Sequence, residues 1–223
     1  MKRSEINRYI REAIQFFESN HFYLPVWARW STAEWQSKGE ECDEIRQNNL
    51  GWDITDFGKG RFAEEGLTLV TIRNGNLKYD NKPYCEKIML VREKQITPIH
   101  FHWKKMEDII NRGGGKLCIR LWKADLQEER TNEDCIVKID GVKTRVPGGG
   151  TVCLENGQSI CFEPYMYHTF WAEGGDCMVG EVSTVNDDAN DNRFFEPIGR
   201  FPAIEEDCPA EYLLCTEYPE KNN

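Results

Sequence analysis

The residues most able to carry out chemistry are His100 and His102, which are separated by one residue, and Glu107, which follows five residues later. Residues 96–103 alternate as a β-strand does, so both imidazoles point to the same side of a sheet. A short turn would bring the Glu107 carboxylate to the same point, and His168 begins a later strand-like segment. Three imidazoles and one carboxylate suit a divalent first-row metal and leave positions open for water or substrate. The sequence therefore predicts a metal site formed by these four residues.

A structural role is the alternative for each histidine, because a single histidine is more often a hydrogen-bonded structural residue than a ligand. Three of the four histidines in the chain fall on strand-like segments with compatible geometry, which favours metal binding. The fourth, His21, lies near the end of a predicted helix, and we interpret it as structural.

The scaffold around these residues is predicted to be mainly β. After Gly51, short segments rich in Val, Ile, Leu and aromatic residues alternate with turn pairs such as Asn74-Gly75, Asp140-Gly141 and Asn156-Gly157. About ten strands at hairpin spacing indicate an antiparallel sandwich or barrel. The glycine pair at 174–175 is likewise interpreted as a turn between two strands.

The N-terminal segment is predicted to be helical. Ser4 is a candidate cap for a first helix, and Pro25 ends any helix begun there. Ser31 and Glu34 have capping-box spacing, so we expect a second helix to run from there towards Asn48. The first helix has an apolar stripe formed by Ile6, Ile10, Ala13, Ile14 and Phe17.

The expected organisation is a helical extension, residues 1–50, packed on a β-barrel domain, residues 51–223, whose C-terminal tail wraps the barrel. A chain of 223 residues with 39% hydrophobic and 30% charged residues suits such a domain. Its formal charge of −10 opposes binding to nucleic acid or to an anionic membrane. Residues 1–20 contain no apolar run of signal-peptide length, and no segment approaches the ~20 apolar residues of a membrane span. We therefore expect a cytoplasmic protein with no nucleic-acid or membrane partner.

Nine cysteines are present, an odd number, and no two have Cys-x-x-Cys spacing. Four of them, Cys118, Cys135, Cys153 and Cys161, fall in alternating, strand-like segments. We predict buried thiols in a reducing compartment rather than a disulfide framework or a thiolate metal site.

Two motifs resemble those of the cupins. The pattern H-x-H-x4-E-x6-G that begins at His100 is similar to the first cupin motif, and the segment Gly157…Pro164…His168 is similar to the second. The resemblance covers residues 60–185 and implies a cupin double-stranded β-helix (jelly-roll) barrel that holds the metal inside, here with N-terminal helices. Two positions depart from the motifs, because Lys94 and Met166 stand where glycine is expected.

Longer segments resemble the D-lyxose isomerase family of sugar isomerases over nearly the whole chain. They are HFHWKKMEDIINRGGGKLCIRLW, FEPYMYHTFWAEGG, GEVSTVNDDANDNRF and GRFPAIEED. This resemblance implies a metal-dependent aldose–ketose isomerase of free sugars, which interconverts D-lyxose and D-xylulose, and also D-mannose and D-fructose, through a cis-enediol. The cupin resemblance also implies a homodimer.

Such an isomerase needs a base near C1 and C2 of the sugar and a donor for the developing oxyanion. Glu181 is the expected base if it points inward, and a surface glutamate is the alternative. Asp188 is the expected second acid within the acidic segment 187–191, for which a solvated turn is the alternative. Lys105 is the expected donor, although the alternation does not distinguish it from Lys104. A metal-assisted hydride shift is the alternative to proton transfer.

Two further residues are expected to contact the sugar. Arg193 could orient the acids or bind a hydroxyl, and a surface ion pair is its alternative. Trp171 could form an apolar wall against the carbon face of the sugar, together with Trp103 and Phe170. Core packing is the alternative for these aromatic residues.

Mn²⁺ is the expected metal, because a hydroxyl-bearing substrate and a carboxylate ligand suit it. Zn²⁺, Co²⁺, Ni²⁺ or Fe²⁺ would fit the same ligands. An Fe²⁺-dependent cupin dioxygenase could use the same four residues, and a sugar-binding cupin without turnover would keep the barrel. A phosphosugar isomerase is disfavoured, because no glycine-rich nest or basic cluster marks a phosphate site.

Overall fold

An antiparallel sheet of eleven strands forms most of the structure, a computed structural model that describes residues 1–219. The strands are β1 (Gly51–Thr55), β2 (Leu67–Asn74), β3 (Tyr84–Val91), β4 (His100–Phe101), β5 (Glu107–Lys123), β6 (Cys135–Ile139), β7 (Val142–Val146), β8 (Thr151–Leu154), β9 (Ser159–Phe162), β10 (Met166–Thr184) and β11 (Arg193–Phe194). Their hydrogen-bonded order is β1-β2-β3-β10-β5-β9-β6-β7, while β8 pairs with β5, and β4 pairs with both β10 and β11. The mainly β prediction is confirmed.

The long strands β5 and β10 pair with each other and run through glycine-rich segments. The predicted turn at 174–175 is wrong, because β10 continues through it and its register with β5 shifts between Glu173 and Cys177. The two backbones approach closely here: a Cβ on Gly114, where φ is +91°, would lie 2.2 Å from the carbonyl oxygen of Asp176. The glycines therefore form a bulge that bends the strands instead of ending them.

Lys94 and Tyr165 adopt a backbone conformation that usually favours glycine, with φ at +63° in each. The N–H of Lys94 donates to the carbonyl oxygen of Ala172, which fixes the turn. In the second motif the left-handed residue is Tyr165, directly before Met166. The backbone thus keeps the left-handed conformation that glycine would adopt, at the glycine position itself for Lys94 and one residue before it for Met166.

The N-terminal helices pack on an outer face of the sheet. They are α1 (Arg3–Ser19), α2 (Thr32–Gln36) and α3 (Asp43–Gln47), with 3-10 turns at Val26–Arg29 and Glu40–Cys42. The predicted apolar stripe of α1 is confirmed, since Ile6, Ile10 and Phe17 are buried against Val70 and Ile88.

The start of α1 differs from the prediction. The helix begins at Arg3 with Lys2 as its N-cap residue. Ser4 lies inside the helix, and its N–H and hydroxyl both donate to the carboxylate of Asp207, at 2.9 and 2.6 Å. A contact with the C-terminal tail, which local spacing does not reveal, thus replaces the expected cap.

The second predicted helix begins as expected and ends early. Ser31 and Glu34 form the predicted capping box at the start of α2. The helix does not continue to Asn48, because the chain becomes extended at Gly39 (φ −94°, ψ −148°) and re-enters helical conformation only from Glu40.

The C-terminal tail, as far as residue 219, returns to the N-terminal segment. The guanidinium of Arg3 pairs with Glu206 and Glu217, and the N–H of Cys215 donates to the carbonyl oxygen of Trp52. Residues 220–223 of the predicted tail lie outside the described residues. None of the helices within residues 1–219 has the length and apolar character needed to cross a membrane.

Cys118 and Cys153 form a disulfide. They lie opposite each other in the pairing of β5 with β8, with their Cα atoms 4.0 Å apart. The prediction of thiols is therefore wrong for this pair, because the strand register brings together two side chains that are 35 residues apart in sequence. The free cysteines within residues 1–219 are Cys42, Cys85, Cys135, Cys161, Cys177, Cys208 and Cys215.

Candidate active site

Strands β4 and β10 place three histidines around one point. His100 lies opposite His168 in the β4–β10 pairing, with ring centroids 4.3 Å apart. The ring of His102, directly after β4, lies 5.2 Å from that of His100. One nitrogen of each ring lies within 4.8 Å of the other two. Only two residues of the predicted strand 96–103 form a strand, and Pro98 within it has no N–H to donate to a neighbour.

Backbone carbonyls fix the tautomer of each imidazole. Nδ1 lies within hydrogen-bond distance of a carbonyl oxygen in all three rings: His100 with Pro98 (2.8 Å), His102 with Asp191 (2.6 Å) and His168 with Met166 (3.1 Å). Because a carbonyl oxygen only accepts, Nδ1 carries the hydrogen, and Nε2 of the neutral ring keeps a lone pair. Metal-binding histidines are commonly oriented in this way.

Glu107 adds a carboxylate to the three rings. Its Oε1 lies 3.5 Å from Nε2 of His102 and 3.3 Å from Nε2 of His168. This buried oxygen has no hydrogen-bond partner among residues 1–219. An unpartnered buried carboxylate oxygen that faces two lone pairs is unfavourable unless a cation lies between them.

The protonation states of these groups suit a metal. Burial, together with the neighbouring imidazoles, holds the pKa of His100 well below its usual range, and burial also lowers the pKa of His168. Burial alone would raise the pKa of Glu107, but the Lys105 ammonium outweighs it and holds that pKa well below its usual range. Ligand atoms about 2.1 Å from a metal, at angles of about 90–110°, lie about 3.0–3.5 Å apart. Oε1 of Glu107 lies at such distances from His102 and His168, and the nitrogens of the three histidines meet within 4.8 Å, so the donor set suits a divalent first-row metal ion.

Lys105 joins this cluster to a second carboxylate. Its Nζ lies 2.8 Å from Oε2 of Glu107 and 2.8 Å from Oε1 of Glu181. Burial lowers the pKa of Lys105, but the two carboxylates outweigh this effect and raise it. The sequence left Lys104 as an alternative; the Lys104 side chain is exposed, while Lys105 is buried in the cavity.

Glu181 points inward on β10, as its proposed role requires, and is 5% exposed. Lys87 lies opposite it on β3, with Nζ 3.3 Å from Oε1 of Glu181 and 2.7 Å from Oδ1 of Asn186. Burial would raise the pKa of Glu181, but Lys105 and Lys87 together lower it. Glu181 is therefore a carboxylate, able to accept a proton.

Asp188 faces the same cavity and pairs with an arginine. Oδ2 of Asp188 lies 3.2 Å from Nη2 of Arg200, whose Nη2 also donates to Oδ2 of Asp53 at 2.6 Å. Burial would raise the pKa of Asp188, but Arg200 and Lys87 hold it well below its usual range. Asp188 is thus held in its ionised form and can accept a hydrogen bond.

Asp191, another residue of the acidic segment, organises the metal-binding turn. Its carboxylate accepts the backbone N–H groups of Lys104 and Lys105, both at 2.9 Å, and its carbonyl oxygen accepts from His102. These bonds occupy the carboxylate, so Asp191 positions other groups.

The structure does not bring Trp171 or Arg193 to this cavity. Trp171 faces outward, where its Nε1 donates to Glu173, because it lies one residue beyond the inward-facing Phe170. Arg193 donates to Glu128 at 2.9 Å, while its neighbour Phe194 lines the cavity. Alternation of side chains along a strand thus places both residues outside the cavity, and their predicted sugar contacts gain no support from the structure.

Of the expected aromatic wall, Phe170 lines the cavity, whereas Trp103 donates from Nε1 to Glu128 outside it. Phe57 and Phe194 also line the cavity, with ring centroids 5.9 Å apart. These two rings are the aromatic surface that the sequence did not identify.

Three polar residues of the cavity were also missed by the sequence. Lys87 had a detectable signal, since it lies two residues from both Cys85 and Met89 on β3 and therefore shares their buried face. Asn186 and Arg200 follow the last long strand in irregular segments, where no periodicity reports which way a side chain points.

Comparison with known proteins identifies the family. The chain matches the D-lyxose isomerase family over residues 1–218. It is 49% identical to the D-lyxose/D-mannose isomerase of Escherichia coli O157:H7 and 48% identical to that of Serratia proteamaculans. In both comparisons 98% of this chain and 98% of the relative are covered.

Among solved structures, the L-ribose isomerase of Cellulomonas parahominis with L-psicose resembles this fold with a TM-score of 0.62. The match covers 92% of this chain and 98% of that chain at 15% sequence identity. At this identity the likeness concerns the fold alone, and it agrees with the mainly β architecture. The two relatives and the family match together show that this chain belongs to the D-lyxose isomerase family of sugar isomerases.

Proposed function

We propose that this protein is a metal-dependent aldose–ketose isomerase that interconverts D-lyxose and D-xylulose, and D-mannose and D-fructose, through a cis-enediol. The observation that carries the proposal is the contact of Lys105 with both Glu107 and Glu181. It places a proton-accepting carboxylate next to a cluster of residues that suits a metal. A dioxygenase or a sugar-binding protein would leave this arrangement without a role.

The metal would be held by His100, His102, Glu107 and His168. When bound, a divalent ion supplies Lewis-acid polarisation of the sugar carbonyl. Mn²⁺ is our preferred ion because the ligand set includes a carboxylate and the substrate bears hydroxyls. Zn²⁺, Co²⁺, Ni²⁺ and Fe²⁺ remain candidates for the same ligands.

Glu181 is the proposed base. Its carboxylate removes the proton from C2 of the open-chain aldose and returns it to C1 of the enediol, on the same face of the sugar. Lys105, next to Glu181, donates a hydrogen bond to the oxyanion that develops during this transfer. Asp188 accepts the proton that leaves O2 and passes it to O1, so that the ketose forms without net gain or loss of protons.

The substrate assignment follows from the names of the two relatives. D-Lyxose and D-mannose have the same configuration at C2, C3 and C4, so one cavity that recognises these carbons can accept both. The three carboxylates of the cavity balance its three cationic side chains, which leaves no surplus positive charge for a phosphate and agrees with a free-sugar substrate. We further propose that the enzyme acts in the cytoplasm as a homodimer.

Metal removal and restoration tests the proposal. The protein is stripped with a chelator, reloaded with Mn²⁺, and incubated with D-lyxose and D-mannose while products are followed by NMR. We expect D-xylulose and D-fructose with Mn²⁺ and neither ketose without metal. No ketose from either sugar, with bound Mn²⁺ verified by elemental analysis, would reject the proposal.

A further inference from the structure

Arg200 carries a hydrogen-bond donor that the described residues leave unsatisfied. Its Nη2 binds Asp53 and Asp188, but Nη1 is buried and has no hydrogen-bond partner among residues 1–219. Unsatisfied buried donors are rare in proteins, and they are costly when the group is charged. A guanidinium nitrogen in this state is a candidate contact for a ligand.

Arg200 lines the cavity that contains the histidines, and its side chain pairs with Asp53 and Asp188 instead of with the proposed metal ligands. Its partners lie on β1 and in the acidic segment: Asp53 and Asp188 bind its side chain, and the Thr55 hydroxyl donates to its carbonyl oxygen at 2.8 Å. These contacts hold the Arg200 side chain against strand β1. A donor held in this way can discriminate between ligands by position.

The charge around Arg200 favours a neutral ligand. Two carboxylates, Asp53 and Asp188, accompany the single guanidinium charge. An anionic group such as a phosphate would be repelled by this surplus of negative charge. A sugar hydroxyl can accept from Nη1 without adding charge.

The cavity must widen before a sugar can reach Nη1. Its free volume is about 50 Å³, smaller than the roughly 300–1,000 Å³ of typical ligand pockets. Beside Arg200, residues 57–59 contact residues 194–196 through an edge-to-face aromatic pair, Phe57 and Phe194, and through an exposed contact of Lys59 with Glu196 at 3.4 Å. Separation of these segments enlarges the cavity on the Arg200 side.

We propose that Nη1 of Arg200 donates a hydrogen bond to a substrate hydroxyl on C3 or a later carbon, and thereby selects among sugars. The inference rests on the proposed function, because it concerns the substrate of the same site. The oxygens on C1 and C2 are assigned to the ligand cluster, to Lys105 and to Asp188, so the free Nη1 of Arg200 is left for the rest of the sugar. Arg200 is therefore a specificity residue.

The test combines variants with deoxygenated ligands. Calorimetry on the Mn²⁺-loaded protein measures the affinity for the alditols made by reducing D-lyxose and its 3-, 4- and 5-deoxy analogues, which bind without reacting. The variants are Arg200→Met, Arg200→Lys, which keeps a charge for the two carboxylates, and Arg3→Met. Arg3 is a matched control, because it is also a buried arginine with two carboxylate partners, but it lies outside the cavity.

We expect removal of one particular hydroxyl to weaken binding to the wild type and to Arg3→Met by about 10- to 100-fold. The same removal should have no effect in Arg200→Met and Arg200→Lys. An equal effect of each hydroxyl in the wild type and in both Arg200 variants would overturn the inference and leave ordered water as the partner of Nη1. The absence of alditol binding to the wild type would also overturn it.

Turnover of D-lyxose, measured on the same samples, separates the two proposals. The expected binding pattern without ketose formation supports the Arg200 contact and rejects the isomerase proposal. Ketose formation without the binding pattern supports the isomerase and rejects the Arg200 contact.

Discussion

Nζ of Lys105 lies 2.8 Å from Oε1 of Glu181, in a pair that is almost completely buried. The same ammonium lies 2.8 Å from Glu107, which faces two imidazole nitrogens. One cation therefore stabilises both the proposed ligand and the proposed base as carboxylates. A substitution that changes the charge of Lys105, Glu107 or Glu181 should therefore alter the stability of the charges on the other two.

His168 is expected to be essential for metal binding. Its Nε2 is held towards Glu107 by the bond from Nδ1 to the carbonyl oxygen of Met166. His168→Ala should weaken metal binding by more than about 100-fold and abolish isomerisation with it. Equilibrium dialysis with elemental analysis gives the metal content, and His21→Ala is the control, because His21 is exposed and is not one of the clustered histidines. Full metal occupancy in His168→Ala would contradict the proposed ligand set.

Lys105 is expected to contribute strongly to stability. Lys105→Met leaves two buried carboxylates without their shared cation, which should cost about 3–5 kcal/mol in the free energy of unfolding. Urea unfolding of the metal-free protein measures this change. The double variant Lys105→Met/Glu107→Gln removes the carboxylate that is left without a lysine partner, so it should recover part of the loss. A double variant that is less stable than Lys105→Met would argue against the charge pair.

The ion pair of Asp188 with Arg200 predicts a pH dependence of stability. The folded-state pKa of Asp188 is depressed, so its stabilising contribution is present above the unfolded-state pKa of about 3.9 and is lost as the pH falls through the folded-state pKa. The difference in unfolding free energy between the wild type and Asp188→Asn should therefore be constant above about pH 5 and should shrink below about pH 3.9. Denaturant unfolding of metal-free protein at a series of pH values measures it. A difference that grows on acidification would have the wrong sign.

Trp171 is expected to have little influence on catalysis. Its side chain lies on the outer face of β10, whereas the adjacent Phe170 lines the cavity. Trp171→Leu should keep kcat/KM for D-lyxose within about twofold, and Phe170→Leu should change it by more. Steady-state kinetics with both variants gives the comparison. A larger loss in Trp171→Leu than in Phe170→Leu would place Trp171 in the substrate site after all.

The four proposed ligands could be found from sequence because their positions follow from local rules. Alternation along a strand places His100 and His102 together, and the spacing to Glu107 and His168 matches two known motifs. The same alternation, extended from His168, would have placed Trp171 on the opposite face. The prediction for Trp171 followed the chemical type of the residue and not its position along the strand.

Other features depend on contacts between distant segments, so the sequence could not reveal them. Spacing along β3 could have marked Lys87 as buried, but its contact with Glu181 depends on the register of β3 with β10, and Arg200 reaches Asp53 through an irregular segment. The disulfide between Cys118 and Cys153 likewise follows from strand register. Glycine pairs were ambiguous for a different reason, because positive φ angles serve both turns and bulges.

The most direct test of the central claim follows the migrating hydrogen. Mn²⁺-loaded wild type and Glu181→Gln are incubated with D-lyxose in D₂O, and D-xylulose is analysed by NMR. We predict deuterium at C1 of the ketose from the wild type, because the proton carried by Glu181 exchanges with solvent. In Glu181→Gln, metal content should be unchanged while turnover falls by at least about 100-fold. D-Xylulose without deuterium from the wild type would favour a hydride shift. An undiminished rate in Glu181→Gln would contradict proton transfer through Glu181.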